Sequence, residues 1–148
     1  MSLIQRGILL FWALWLSLVA ATNIMDGLQQ LGVVADSWRF TSGNYAFMVD
    51  VTARYHTPGW LVAGLFLGVV VWEALAALLF WLAAVCFSPT NHAWLHLAFG
   101  VSLALWAAFM LADEIFMAYQ VENVHRSIFL TQIACLLLIR LAPAENGR

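Results

Sequence analysis

Four long apolar runs decide what this chain can fold into. They cover roughly 7–30 (GILLFWALWLSLVAATNIMDGLQQ), 60–86 (WLVAGLFLGVVVWEALAALLFWLAAVC), 93–119 and 124–142. A bilayer core of about 30 Å takes about 20 helical residues to cross, so each run is long enough to span. Helices of a soluble bundle carry a polar stripe towards water, and these runs carry almost none. Composition agrees: 64% of the residues are hydrophobic and 9% charged, whereas soluble domains are about 45–50% apolar. The expected fold is all-α, a transmembrane four-helix bundle, forming one integral membrane domain over 1–148.

The first run resembles a signal peptide at a glance, with Arg6 ahead of an apolar core and Val19-Ala20-Ala21 as a cleavage-like site. It is read instead as the first spanning helix. Between runs one and two lies a longer interfacial loop, 31–59, which holds Asp36, Arg39, Asp50, Arg54 and His56. Its SWRFTSGNYAFMV stretch mixes aromatic and polar residues and could lie flat at the membrane surface. The second connection, FSPTNH, and the third, around Gln120–Asn123, are short, which forces antiparallel neighbours. Four spans put both termini on one side and residues 31–59 on the other. The basic residues, all six of them Arg, divide almost evenly between the sides. The slight bias favours cytoplasmic termini in a bacterial inner membrane. A net charge of −2 with scattered arginines argues against nucleic acid and against a basic patch for anionic lipid. The expected partners are the lipid bilayer and other membrane subunits or further copies of the chain. Cys86 and Cys135 fall in apolar runs at different depths, so no disulfide is expected. No GxSxG motif or phosphate-cradling glycine loop is present, and nucleophilic catalysis has no support.

The polar residues inside the runs carry the functional information, because ionisable groups in a bilayer are costly and usually face a bundle interior. Asn23 and Asp26 lie near the loop-side end of run one. Asp113 and Glu114 lie at the same end of run three, and His125 and Arg126 open run four. Asp26, Asp113 and Glu122 have a plain reading as solvated interfacial groups. Glu73 does not: it stands about 20 Å into run two, near the middle of the membrane. A carboxyl there is either protonated and donating a hydrogen bond, or ionised against a buried donor. Its candidate partners are Asn23, Thr131, Gln132 and the indole of Trp106. The expected polar pocket is Asn23, Asp26, Glu73, Glu114, His125 and Gln132. At about 100° per residue, Glu73 points away from Gly64 and Gly68. That pair of glycines is a GxxxG element suited to close helix packing. Glu122-x-x-His125 has the spacing found in carboxylate-bridged di-metal bundles, so Glu114, Glu122 and His125 form a candidate metal set. His92 and His96, four apart, are candidate haem or pigment ligands, although an interfacial histidine pair is the plainer reading.

Several strings taken together resemble a known family. SLVAATNIMDGLQ, NYAFMV, WEALAALL, and EIFMAYQ leading to HRSIFLTQIACLLLI are similar to the bacterial "predicted small integral membrane protein" family of unknown function. The positions that carry the likeness are Asn23, Asp26, Glu73, Glu114, Gln120 and Arg126. The chain departs from the family pattern after Asp50, where VTARYHTPGW is shorter and lacks the usual Ser-Met-Asp stretch. The resemblance implies a four-span fold and a membrane location, and no activity. The leading functional expectation is a non-enzymatic accessory or structural subunit of a bacterial membrane complex with an internal polar pocket. The alternatives are an ion-, metal- or quinone-handling protein using the buried carboxylate and histidine, and a redox subunit binding haem or pigment.

Overall fold

The computed structural model describes residues 3–87 and 92–141. Within them every regular element is a helix: α1 Leu3–Gln30, α2 Asn44–Ala53, α3 Gly59–Val85, α4 Ala93–Phe116 and α5 Tyr119–Leu141. Four of these, α1, α3, α4 and α5, are long and apolar enough to cross a membrane. Together they make a transmembrane helical bundle. Residues 88–91 of the second connection, and the last residue of the fourth expected run, lie outside the described residues.

Each helix ends for an identifiable reason. Gly32, in the left-handed region at φ 69°, closes α1. Its amide bonds the Gln29 carbonyl and that of Val33 bonds Leu28, a Schellman arrangement, which places one residue at positive φ and most often uses glycine there. The same pattern closes α4, with Met117 at φ 54°, its amide on Glu114 and that of Ala118 on Asp113. The third connection is therefore Met117–Ala118, not Gln120–Asn123 as the sequence suggested. A methionine in the left-handed region carries no turn signature, whereas Gln120 and Asn123 are ordinary surface residues of α5. Pro58, extended at ψ 141°, precedes α3 and suits a helix start.

Around the bundle the neighbours run α1, α3, α4, α5, and α1 closes against α5 through a narrow seam. The Gln5 side-chain amide donates to the Ile139 carbonyl at 2.9 Å in this seam. The apolar core lies towards the side of the chain termini. Leu9, Trp12, Ala13 and Leu16 of α1 meet Ala76, Phe80 and Ala83 of α3 and Leu95, Ala98 and Phe99 of α4 there. Phe80 sits between Trp12, stacked at 6.4 Å, and Phe99, edge-on at 4.9 Å. Trp12 is thus a core residue. Trp72 of α3 donates its indole N–H to the Val101 carbonyl of α4 at 3.0 Å. Cys86 and Cys135 are both free thiols.

α2 lies across the loop-side end of the bundle. Its first turn is tied to α1. The residues that follow it reach the end of α4: the Tyr55 hydroxyl donates to the Ile115 carbonyl, the Tyr55 ring meets Phe116, and the Arg54 guanidinium contacts the sulfur of Met117 just beyond that helix. The expected interfacial loop 31–59 therefore contains a short helix that straps three spanning helices together.

Candidate functional site

The polar interior begins with one residue from each spanning helix. Asn23 of α1, Glu73 of α3, Ser102 of α4 and Gln132 of α5 are all buried, none more than 2% exposed. The bond from Trp72 to Val101 sets Glu73 and Ser102 within about one helical turn, 5.4 Å, of the same height. Two hydrogen bonds join the four into pairs. Asn23 Nδ2 donates to Glu73 Oε2 at 2.7 Å, and Gln132 Nε2 donates to Ser102 Oγ at 2.7 Å. Of the partners expected for Glu73, Asn23 fills the role. Gln132 is turned to α4, and Thr131 bonds back to the Ser127 carbonyl of its own helix. The Trp106 indole nitrogen and Gln132 Oε1 are buried and meet no partner among the described residues. Hydrogen bonds between membrane helices contribute about 0.6 kcal/mol on average. Leaving a buried polar group unpaired costs more, about 1–3 kcal/mol. The pairs therefore chiefly avoid a penalty, and they fix which helix faces which.

Above this layer the network continues towards α2. Asn23 Oδ1 accepts from Asn44 Nδ2 at 2.9 Å. Asp26, three residues further along α1 and 1% exposed, accepts from the Ser42 hydroxyl at 2.9 Å and from the Tyr45 backbone N–H at 2.8 Å. These contacts explain how a carboxylate near a helix end is buried and not solvated. Gly43 precedes α2 and offers no side chain to cap it. The Asp26 carboxylate, delivered from another helix, takes that place and puts negative charge at the positive end of α2.

A second polar centre joins α4 and α5. Asp113, 4% exposed, lies 2.7 Å from His125 Nδ1. The His125 ring stacks on Phe109 at 4.8 Å and lies 5.9 Å from Trp106. Asp113 is therefore the acid that meets His125. Glu114, one residue on and about 100° round the helix, is exposed. Glu122 is half-buried and faces Arg126 at 3.6 Å along its own helix. The three residues of the candidate metal set are thus not brought together: Glu114 is exposed, Glu122 faces Arg126 and His125 faces Asp113. Among the described residues no three His, Cys, Asp or Glu side chains converge where a metal ion could be held.

At the opposite end of the bundle the His92 and His96 rings lie 6.3 Å apart. Nε2 of His96 is 2.6 Å from Arg140 of α5, and Phe87 packs edge-on to His92. The nitrogen that would ligate a haem iron is thereby engaged by a guanidinium.

The polar layer also borders a cleft. Between α1, α3 and Tyr45 of α2 lies a space of about 380 Å³, with Asn23 among its lining residues. Ile24, Leu31 and Leu67 on its rim are exposed, so it opens sideways. Gly27 forms part of its wall, and a Cβ there would come within 3.3 Å of Phe66. Comparison of the chain with protein-family models, with curated proteins and with solved structures finds no match.

Proposed function

We propose that this chain is a small, non-enzymatic accessory or structural subunit of a larger membrane assembly. By its resemblance and its arginine distribution that membrane is the bacterial inner membrane, with the termini cytoplasmic. The observation that carries the reading is the outer face of α3. Gly64 and Gly68 are exposed, and nothing lies within 4 Å of a Cβ built on either. Leu61, Leu65, Leu67 and Val71 beside them are exposed as well. Glycine confers no advantage against lipid, whereas it lets a second helix approach closely. The outer face of α5, diagonal to α3 in the ring of helices, is a second exposed surface, since only Gln132 and Ile139 of that helix are buried among the described residues. Purification in mild detergent tests the reading. Stoichiometric co-purifying chains, or a defined homo-oligomer, are expected. A monodisperse monomer in detergent and in nanodiscs alike would overturn it.

A second reading has its own observation in the buried carboxyl of Glu73 held by Asn23. Intramembrane acids that face a bundle interior commonly handle ions, protons or lipid-soluble ligands. Infrared difference spectroscopy on a pH step tests it: a carboxyl band lost in Glu73→Gln supports an exchanging group. A spectrum identical in both proteins would leave Glu73 a purely structural residue.

A further inference from the structure

The two ends of the bundle differ in charge. Among the described residues every carboxylate except Glu73 lies at the loop-side end or in the segment before α3. The opposite end holds Arg6, His92, His96 and Arg140, and no acid among its described residues. Arg6 and Arg140 stand at the two ends of the sequence. They reach one level because Gln5 bonds the Ile139 carbonyl across the seam between α1 and α5. The fold thus gathers at one end arginines whose scatter along the chain gave no sign of a basic site.

Arg140 and His96 are the centre of this end. Arg140 Nη1 lies 2.6 Å from His96 Nε2, and both residues are exposed. A guanidinium can only donate, so Nε2 accepts, the imidazole is neutral and its own proton is on Nδ1. The pair has then used its one acceptor. What remains is the other N–H groups of Arg140 and the Nδ1–H of His96, donors around a positive charge. Such a set selects an anion with several oxygens, as a phosphate has. Depth says where the phosphate comes from. His96 is the fourth residue of α4 and Arg140 the last but one of α5, so both stand within about one turn, 5.4 Å, of the helix ends. Trp94 at the same level is exposed, as tryptophans at a membrane–water interface are. Towards the membrane centre the strip between α4 and α5 becomes apolar and shallow. Gly100, one turn from His96, is exposed, and nothing lies within 4 Å of a Cβ built on it. Leu137, one turn back from Arg140, is exposed too. A zwitterionic headgroup would bring a cation of its own to an end that offers it no acid. We propose that Arg140 and His96 hold the phosphate of an anionic phospholipid, whose acyl chain lies along α4 and α5 past Gly100 and Leu137.

The test is native mass spectrometry of the full chain in mild detergent, titrated with phosphatidylglycerol or with phosphatidylcholine of the same acyl chains. One retained phosphatidylglycerol per chain is expected, held about tenfold more tightly than phosphatidylcholine. Arg140→Gln should weaken its retention about fivefold, the share of one arginine near an anionic lipid surface. His96→Glu sets a carboxylate beside the guanidinium and should abolish the preference between the lipids. Arg126→Gln, at the loop-side end, should change nothing. All three positions are exposed, so the core is untouched, and circular dichroism checks this. Equal retention of the two lipids by the wild-type chain overturns the inference whatever the variants do. Equal weakening in Arg140→Gln and Arg126→Gln also overturns it, since that marks a general effect of charge. Displacement of the lipid by excess inorganic phosphate would mark a site for the free ion and overturn the lipid assignment.

Discussion

Glu73 shows how one side chain constrains its surroundings. Among the described residues its hydrogen-bond partner is the amide of Asn23 at 2.7 Å, in an interior where an unmet donor has no water to turn to. Glu73→Gln keeps an oxygen that can accept from Asn23, so the variant should fold and unfold at nearly the wild-type temperature in detergent. Glu73→Leu removes the acceptor and strands a buried amide. It should lose about 1–3 kcal/mol, read as a lower unfolding midpoint; equal midpoints for the two variants would show that the bond does not matter. The inward direction of Glu73 was legible in the sequence, because nine residues place it opposite Gly64. The choice between Asp113 and Glu114 was not. Helical spacing correctly puts His96 and Glu114 on one face, but spacing alone does not say which face is inward. That face proves to be the exposed one. The buried face carries Ser102, Trp106 and Asp113, whose separations of eleven and seven residues align them to within about 20° to 40°.

At the scale of elements, α2 exposes the limits of local reading. Its sequence has a glycine where a capping side chain would stand, and the cap comes from Asp26, brought alongside by the fold. No pattern within 31–59 could announce that. Asp26→Ala should free the Tyr45 amide and the start of α2, at a cost of about 1–2 kcal/mol. Hydrogen exchange would show it as faster exchange in residues 44–48 than in the body of α3, with Asp26→Asn in between. Uniform exchange across α2 in wild type and variant would refute the capping role. The spanning helices were far easier to read, since length and hydropathy suffice for each. Their arrangement makes a topological prediction. In a background lacking Cys86 and Cys135, Ser37→Cys and Ser88→Cys should react with an impermeant thiol reagent from opposite sides of the membrane. Ser37 serves better than Ser42, whose hydroxyl is engaged by Asp26. Reaction of both from one side would exclude the four-span arrangement.

For the molecule as a whole, the outer face of α3 decides between solitude and assembly. A side chain at Gly68 meets nothing within the chain, so Gly68→Leu should leave the monomer as stable as before. Replacing glycine within a helix even contributes up to about 1 kcal/mol. The same change should weaken association, seen as a shift to smaller mass by light scattering in detergent; an unshifted complex would place the contact elsewhere. The seam between α1 and α5 has a consequence of a different kind, in time. Asp26 finds its α2 partner after only 19 further residues and Asn23 finds Glu73 after 50, but Gln5 must wait 134 residues for Ile139. During synthesis, when chains begin to fold from their first segments, α1, α2 and α3 can settle their polar contacts while α5 is still unmade. The ring of helices stays open along one side until the last span arrives, so that side is the last place where the nascent bundle can still admit a neighbour.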